Sequence, residues 1–172
     1  MNSRHYLMIV LSILLLFSFI NSPIYAQLQD APANIAAALV LKLASFDKGI
    51  SGDFTIYVID APEVAKELEK GVGKTVQGAT LSKVESGSTL PSAKPNLLYV
   101  GSDAKLQDAL KYARENKVLT ASAVADLTSK GVTLGIGVGD DGKPKIMLNL
   151  TASEEEGRDW NPAIMKVAKT IK

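Results

Sequence analysis

The sequence predicts an α/β fold, a three-layer-like sandwich in which flanking helices cover a mostly parallel sheet that ends in a C-terminal antiparallel hairpin. Three observations predict it. Short β-branched and aromatic runs alternate with helical spacing, giving the order strand, helix, strand twice over, which is the pattern of parallel crossover units. Asp141-Gly142 separates two extended runs near the end of the chain, a strong hairpin signal. The 172 residues are 47% apolar and 22% charged, which suits one globular domain rather than a disordered chain.

The first segment reads as a secretory signal, residues 1–26. Arg4 and His5 give a short positive start, residues 7–20 are apolar apart from Ser12 and Ser18, Asn21-Ser22-Pro23 ends the run, and Ala26 supplies a small residue for cleavage. The run falls short of the roughly 20 apolar residues of a membrane span. No cysteine follows it, so a lipoprotein anchor is excluded. The expected organisation is a cleaved signal followed by a single exported α/β domain over residues 27–172.

From Ala33 the spacing turns helical, with Ile35, Leu39, Leu43 and Phe46 on one face and Ala36, Ala37, Ala38 and Val40 making the helix apolar nearly all round. Residues 54–59 form the first strand. Asp60-Ala61-Pro62 opens a helix with proline in its first turn and Glu63 where an anion is favoured, and Gly71 stops it. Residues 73–76 read as a turn and residues 81–84 as a second strand. Residues 86–95, rich in serine and proline, form a surface loop. Residues 97–100 are a third strand, Ser102 is placed to cap a helix that runs to Asn116, and residues 118–121 are a fourth strand. Residues 132–138 and 145–150 form the hairpin. Asn161-Pro162 then opens a closing helix with Ile164, Val167, Ala168 and Ile171 on one face.

Residue inventory narrows the chemistry. Nineteen basic and eighteen acidic residues leave a formal charge of +1, with no basic excess for a phosphate backbone, so nucleic acid is not an expected partner. There is no cysteine, and the single histidine, His5, lies in the signal segment. A Ser-His-Asp triad, a Cys-His pair and an imidazole or thiolate metal site are therefore not available to the exported part, which keeps only carboxylates, lysines, tyrosines and hydroxyls. No enzyme activity, cofactor or metal is expected. Ser129-Lys130 could suggest a hydrolase pair, but nothing in the sequence fixes the two side chains together.

Two phosphate-loop look-alikes fail on context. Gly73-Lys74-Thr75 has Leu68, inside a helix, where a nucleotide loop needs its first glycine. Residues 137–142 match a dinucleotide fingerprint but lead into a strand rather than a helix, so Gly135, Gly137 and Gly139 are read as allowing twist or close backbone approach. Glu154-Glu155-Glu156 reads as a solvated acidic run, and Asn149 as a turn or capping residue. The candidate partner-binding residues are Phe46, Arg158 and Trp160, since aromatic side chains and arginine are enriched where proteins meet. A tryptophan stapled over the start of the last helix, and a core Phe46, are the competing assignments.

Several of these segments resemble the YfiR/HmsC-like periplasmic proteins of bacteria. Residues 36–48 (AAALVLKLASFDK) are similar to that family's first helix, and residues 54–58 (FTIYV) to its first strand. Val118-Leu119-Thr120, Lys130-Gly131 and Leu148-Asn149 are similar to its later segments, and residues 162–171 to its close. The chain departs from the family in lacking cysteines, so redox control does not carry over. It also has Asp47-Lys48-Gly49-Ile50 where members have an aromatic Trp-Pro. The resemblance implies a non-enzymatic regulator that binds the periplasmic domain of a membrane sensor, a diguanylate cyclase or a sensor kinase. Such a regulator would control cyclic-di-GMP and biofilm formation. A homodimer stays open on sequence alone, as does a small-ligand binder with its pocket at the carboxyl ends of the parallel strands.

Overall fold

A computed structural model describes residues 28–172; the expected signal segment and its cleavage position lie outside the described residues. The strands are β1 (Gln29–Asp30), β2 (Gly52–Ile59), β3 (Thr75–Val76), β4 (Ala79–Gly87), β5 (Leu97–Val100), β6 (Leu119–Ser122), β7 (Leu134–Val138), β8 (Pro144–Asn149) and β9 (Lys169–Ile171). The helices are α1 (Ala33–Ala44), α2 (Pro62–Glu69), α3 (Leu106–Asn116) and α4 (Leu150–Glu155). One mixed sheet runs in the order β3-β4-β2-β5-β6-β7-β8-β9, with β1 paired to β7. The β4-β2-β5-β6-β7 stretch is parallel throughout, and β7 and β8 form the antiparallel hairpin predicted from Asp141-Gly142. Gly142 sits in the turn at φ +69°, the region open to glycine without strain.

Every residue of β5 and β6 is buried, as expected for parallel strands covered on both faces. Alternation along β5 separates two cores. Leu97 and Tyr99 face α1 and α2 together with Ile56, Val58 and Leu119, whereas Leu98 and Val100 face α3 together with Ile59 and Val118. On β7, Gly137 is the close approach expected of the glycine run: a Cβ there would lie 3.1 Å from the Leu28 Cβ and 3.3 Å from the Gln29 carbonyl.

The structure corrects several expectations. The buried face of α1 is Ala36, Ala37, Val40, Leu43 and Ala44, so Ile35 and Leu39 are only half-buried and Phe46 lies beyond the helix. Small alanines take the sheet side because they bring the helix close to the strands. Ser102 does not cap α3. A short 3-10 turn, Asp103–Lys105, precedes that helix, and the Ser102 hydroxyl donates to Asp60 instead at 3.3 Å. The region read as a plain turn before β4 contains β3, folded back on β4 in an antiparallel pair.

The closing helix is not formed. Asn161 caps as expected, its side chain accepting from the Ala163 N–H, and Pro162 takes the first position, but the 3-10 helix Pro162–Lys166 stops there. The chain then runs as β9 in parallel register on β8, Met147 opposite Lys169 and Asn149 opposite Ile171. An isolated helix of about ten residues is marginal. The outer edge of β8, by contrast, offers unpaired backbone groups, and lysines beside β9 discourage further pairing.

Candidate functional site

Phe46 lies more than a hundred residues before Arg158 and Trp160, and the structure brings them into one clasp, with the segment after α1 lying antiparallel to the segment after α4. Lys48 N–H donates to the Asp159 carbonyl at 2.8 Å, Asn161 N–H donates to the Phe46 carbonyl at 2.8 Å, and Asp47 and Trp160 form the β-bridge between them. Outside, the Lys48 ammonium pairs with the Asp159 carboxylate at 2.9 Å, both exposed.

Each of the three residues has a distinct place in the clasp. Phe46 is turned into the core beneath α1. Trp160 is half-buried against the same core, and its indole N–H donates to the Ser153 hydroxyl of α4 at 2.6 Å. It therefore braces α4 rather than the start of the following 3-10 helix. The Arg158 guanidinium is spent inside the protein: it pairs with Asp47 at 3.0 Å and donates to the carbonyls of Lys117 at 2.8 Å and Glu156 at 3.0 Å. Asp47 is only 1% exposed, so this ion pair is buried on the carboxylate side. The Asp47 carboxylate also accepts from the Gly49 N–H at 2.9 Å, which shapes the turn.

Directly beneath lies a residue that the sequence reading misplaced. Glu156, assigned to a solvated acidic run, is fully buried at the C-terminal cap of α4. Glu154 and Glu155 are exposed as expected. The Glu156 carboxylate accepts from the Thr120 N–H at 2.9 Å and from the Thr120 hydroxyl, with the Thr133 hydroxyl beside it. Burial pushes its carboxyl up to about 7, only partly opposed by those hydrogen bonds and by the Arg158 charge. The legible signal was the spacing of the small residues Ala152 and Ser153, four and three positions before Glu156, which puts all three on the inward face of α4. Asn149 caps α4 as expected, accepting from the Ala152 N–H at 3.0 Å.

Three concavities frame the sheet. At the carboxyl ends of β2 and β5, where the direction of chain crossing reverses, one cleft of about 370 Å³ is lined by Ile59, Thr89, Leu90, Lys105 and Asp108. A smaller one of about 240 Å³ lies between Asp60-Ala61-Pro62 and Ser86-Gly87-Ser88. A third, of about 560 Å³, runs along the hairpin between Leu28, Pro144, Ile146, Met147 and Val167. Tyr99 lines none of them: burial raises its hydroxyl to about 12, and its oxygen accepts from the Ala123 N–H at 3.0 Å.

Comparison with known proteins gives the fold an ancestry. The model of the family described as YfiR/HmsC-like matches residues 33–169. No curated protein matches the chain. Among solved structures, a conserved domain protein from Vibrio cholerae O1 biovar El Tor is similar with a TM-score of 0.56 and 17% identity, over 84% of this chain and 61% of that one. The ABC domain in complex with L-Trp from Streptococcus pneumonia is similar with a TM-score of 0.51 and 12% identity, over 82% of this chain and 60% of that one. The chain thus spans about three-fifths of the length of these structures, and at such identities they share its fold.

Proposed function

This chain belongs to the YfiR/HmsC-like family, and from that premise we propose that it is a non-enzymatic periplasmic regulator that binds the outer domain of a membrane-bound signalling protein, a diguanylate cyclase or a sensor kinase. The reading rests on the family match across residues 33–169. The clasp supports it by offering a preformed surface: Trp160 half-exposed, rimmed by the Lys48–Asp159 pair, with Phe46 and Arg158 fixing the backbone from below. A rigid aromatic flanked by both charges is the composition of a protein contact. Such a protein acts by binding one state of its receptor more tightly than another, so it needs no reaction centre.

The test is made in cells. Loss of the protein should raise cyclic-di-GMP and biofilm, and a photo-crosslinking residue at Lys48 should trap the periplasmic domain of a cyclase or kinase. Unchanged cyclic-di-GMP together with no such crosslink sinks the reading. The clefts at the carboxyl ends of β2 and β5 favour a second reading, a small-ligand binder, because open α/β sheets bind ligands where chain crossing reverses. Thermal stabilisation by a metabolite, abolished by Lys105→Ala and not by Lys48→Ala, would select it.

A further inference from the structure

The clasp is joined to Glu156 by covalent chain and by the hydrogen bond from Arg158 to the Glu156 backbone carbonyl, and among the described residues no cation pairs with the Glu156 carboxyl. Arg158 donates to the Glu156 backbone carbonyl, to Asp47 and to the Lys117 carbonyl, not to the Glu156 side chain. The Thr120 hydroxyl accepts from the Thr133 N–H at 2.9 Å, so its own hydrogen is directed at Glu156. The Thr133 hydroxyl oxygen is buried and has no hydrogen-bond partner among the described residues, which leaves it as an acceptor for the proton of a neutral Glu156 carboxylic acid. Asp47 and Arg158 already cancel each other, so an ionised Glu156 adds an uncompensated negative charge out of contact with water.

We propose that Glu156 is a proton-operated latch on the clasp: as a neutral acid it donates to Thr133 and the clasp stays closed, and as a carboxylate it competes with Asp47 for Arg158 and the contact between residues 46–48 and 158–161 loosens. This rests on the reading of the clasp as the docking surface, and it makes that surface depend on periplasmic pH. The step is the loss of one proton from the Glu156 carboxyl to solvent, with no other bond made or broken.

The charges around the latch are few. On α4, Glu154 points to solvent and Glu155 pairs with Arg114 of α3 at 2.8 Å. Lys117, after α3, donates to the Glu155 carbonyl at 2.8 Å. The clasp supplies Asp47, Arg158 and the exposed Lys48–Asp159 pair. β6 supplies Thr120 and the residue before β7 is Thr133, both uncharged. Residues 28–172 contain no histidine, so no imidazole titrates in the same range. Because the folded carboxyl is raised from 4.5 to about 7, folded chains keep a proton that unfolded chains have released. The stabilisation is complete below the unfolded value and is lost as pH rises through the folded one.

Trp160 is the single tryptophan and reports the clasp directly. Its emission, together with hydrogen exchange of the Lys48 and Asn161 amides, is followed from about pH 5 to about pH 9 in the full chain and in Glu156→Gln. The wild type should show a one-proton transition near neutrality, with clasp opening rising about tenfold per pH unit on approach to it. Glu156→Gln should stay closed and flat. A flat wild type, or the same transition in Glu156→Gln, overturns the proposal. If Glu156→Gln does not fold, the ¹³C shift of the Glu156 carboxyl in the wild type decides. A midpoint near neutrality that coincides with the Trp160 change supports the latch, and a midpoint in the ordinary carboxylate range overturns it. No partner is used, so a failed latch leaves the docking reading standing, and failed crosslinking at Lys48 leaves the latch standing.

Discussion

The sheet between β2 and α3 and the corner where β6, β7 and α4 meet are buried alike but held by different interactions. Around β5 the interior is apolar on both faces: Leu97 and Tyr99 on one side, Leu98 and Val100 against Leu106, Leu110 and Val118 on the other. At the corner the buried side chains include Thr120, Thr128, Thr133, Asn149, Ser153 and Glu156, with Asp47 just beyond. The first region is stabilised by removing apolar surface from water, which is nondirectional and tolerant of small shifts. The second depends on directional pairs, such as Glu156 with Thr120 and Asn149 with Ala152, and a buried polar group that loses its partner costs more than a paired one contributes. A molecule that must stay folded yet respond at one place would be expected to put its polar interior where the response is read out, which is where the clasp lies.

Arg158→Ala should separate the two regions most sharply. It leaves Asp47 at 1% exposure with no cation, and one orphaned partner of a buried pair costs about 3–5 kcal/mol. Urea unfolding measures it, and Asp47→Ala in the same chain should recover a good part of the loss, since no buried charge then stays unpaired. If the double variant is as unstable as the sum of the singles, the pair is not the reason the corner holds. Next in size is Leu98→Ala on the apolar side, where a fully buried leucine is replaced by a cavity, at about 3 kcal/mol. No compensating partner exists for it, and its cost should be the same at acid and alkaline pH. A pH-dependent cost for Leu98→Ala would blur the distinction between the regions.

How much of this could be read in advance follows the same division. Residues 97–100 were expected as a strand and are β5 to the residue, because an apolar β-branched and aromatic run needs no partner to be recognised. Asp141-Gly142 announced the β7–β8 pair because the turn itself demands glycine. β1, β3 and β9, of two or three residues, carry no periodicity. They exist because β7, β4 and β8 have open edges for them to pair with, which is a property of the assembled sheet. At the clasp, the sequence offered Phe46, Arg158 and Trp160 as residue types, but not their convergence, which depends on an antiparallel contact between segments more than a hundred residues apart. Glu156 was hidden for a further reason: a run of three glutamates reads as solvated unless one of them is known to face inward. The expected helix after Asn161 failed because local capping was right, but the pull of an open sheet edge decided the residues after it.

The smallest effect tests whether the hairpin is independent of both regions. Gly142 stands at φ +69° with open space where a Cβ would be, so Gly142→Ala introduces backbone strain and no clash. A single non-glycine residue in the left-handed region costs about 1 kcal/mol. The turn is already held by the Gly142 N–H on the Gly139 carbonyl at 2.8 Å and by Asp141, whose carboxylate accepts from the Lys143 N–H and pairs with Lys145. The loss should therefore appear as faster hydrogen exchange of the Gly139 and Gly142 amides, with those of β5 and of the clasp unchanged. Spread of the effect to the Asn161 amide would mean that strain in the hairpin reaches β9 and the clasp through β8. The polar corner would then have to be treated as one cooperative unit with the hairpin rather than as a separate region.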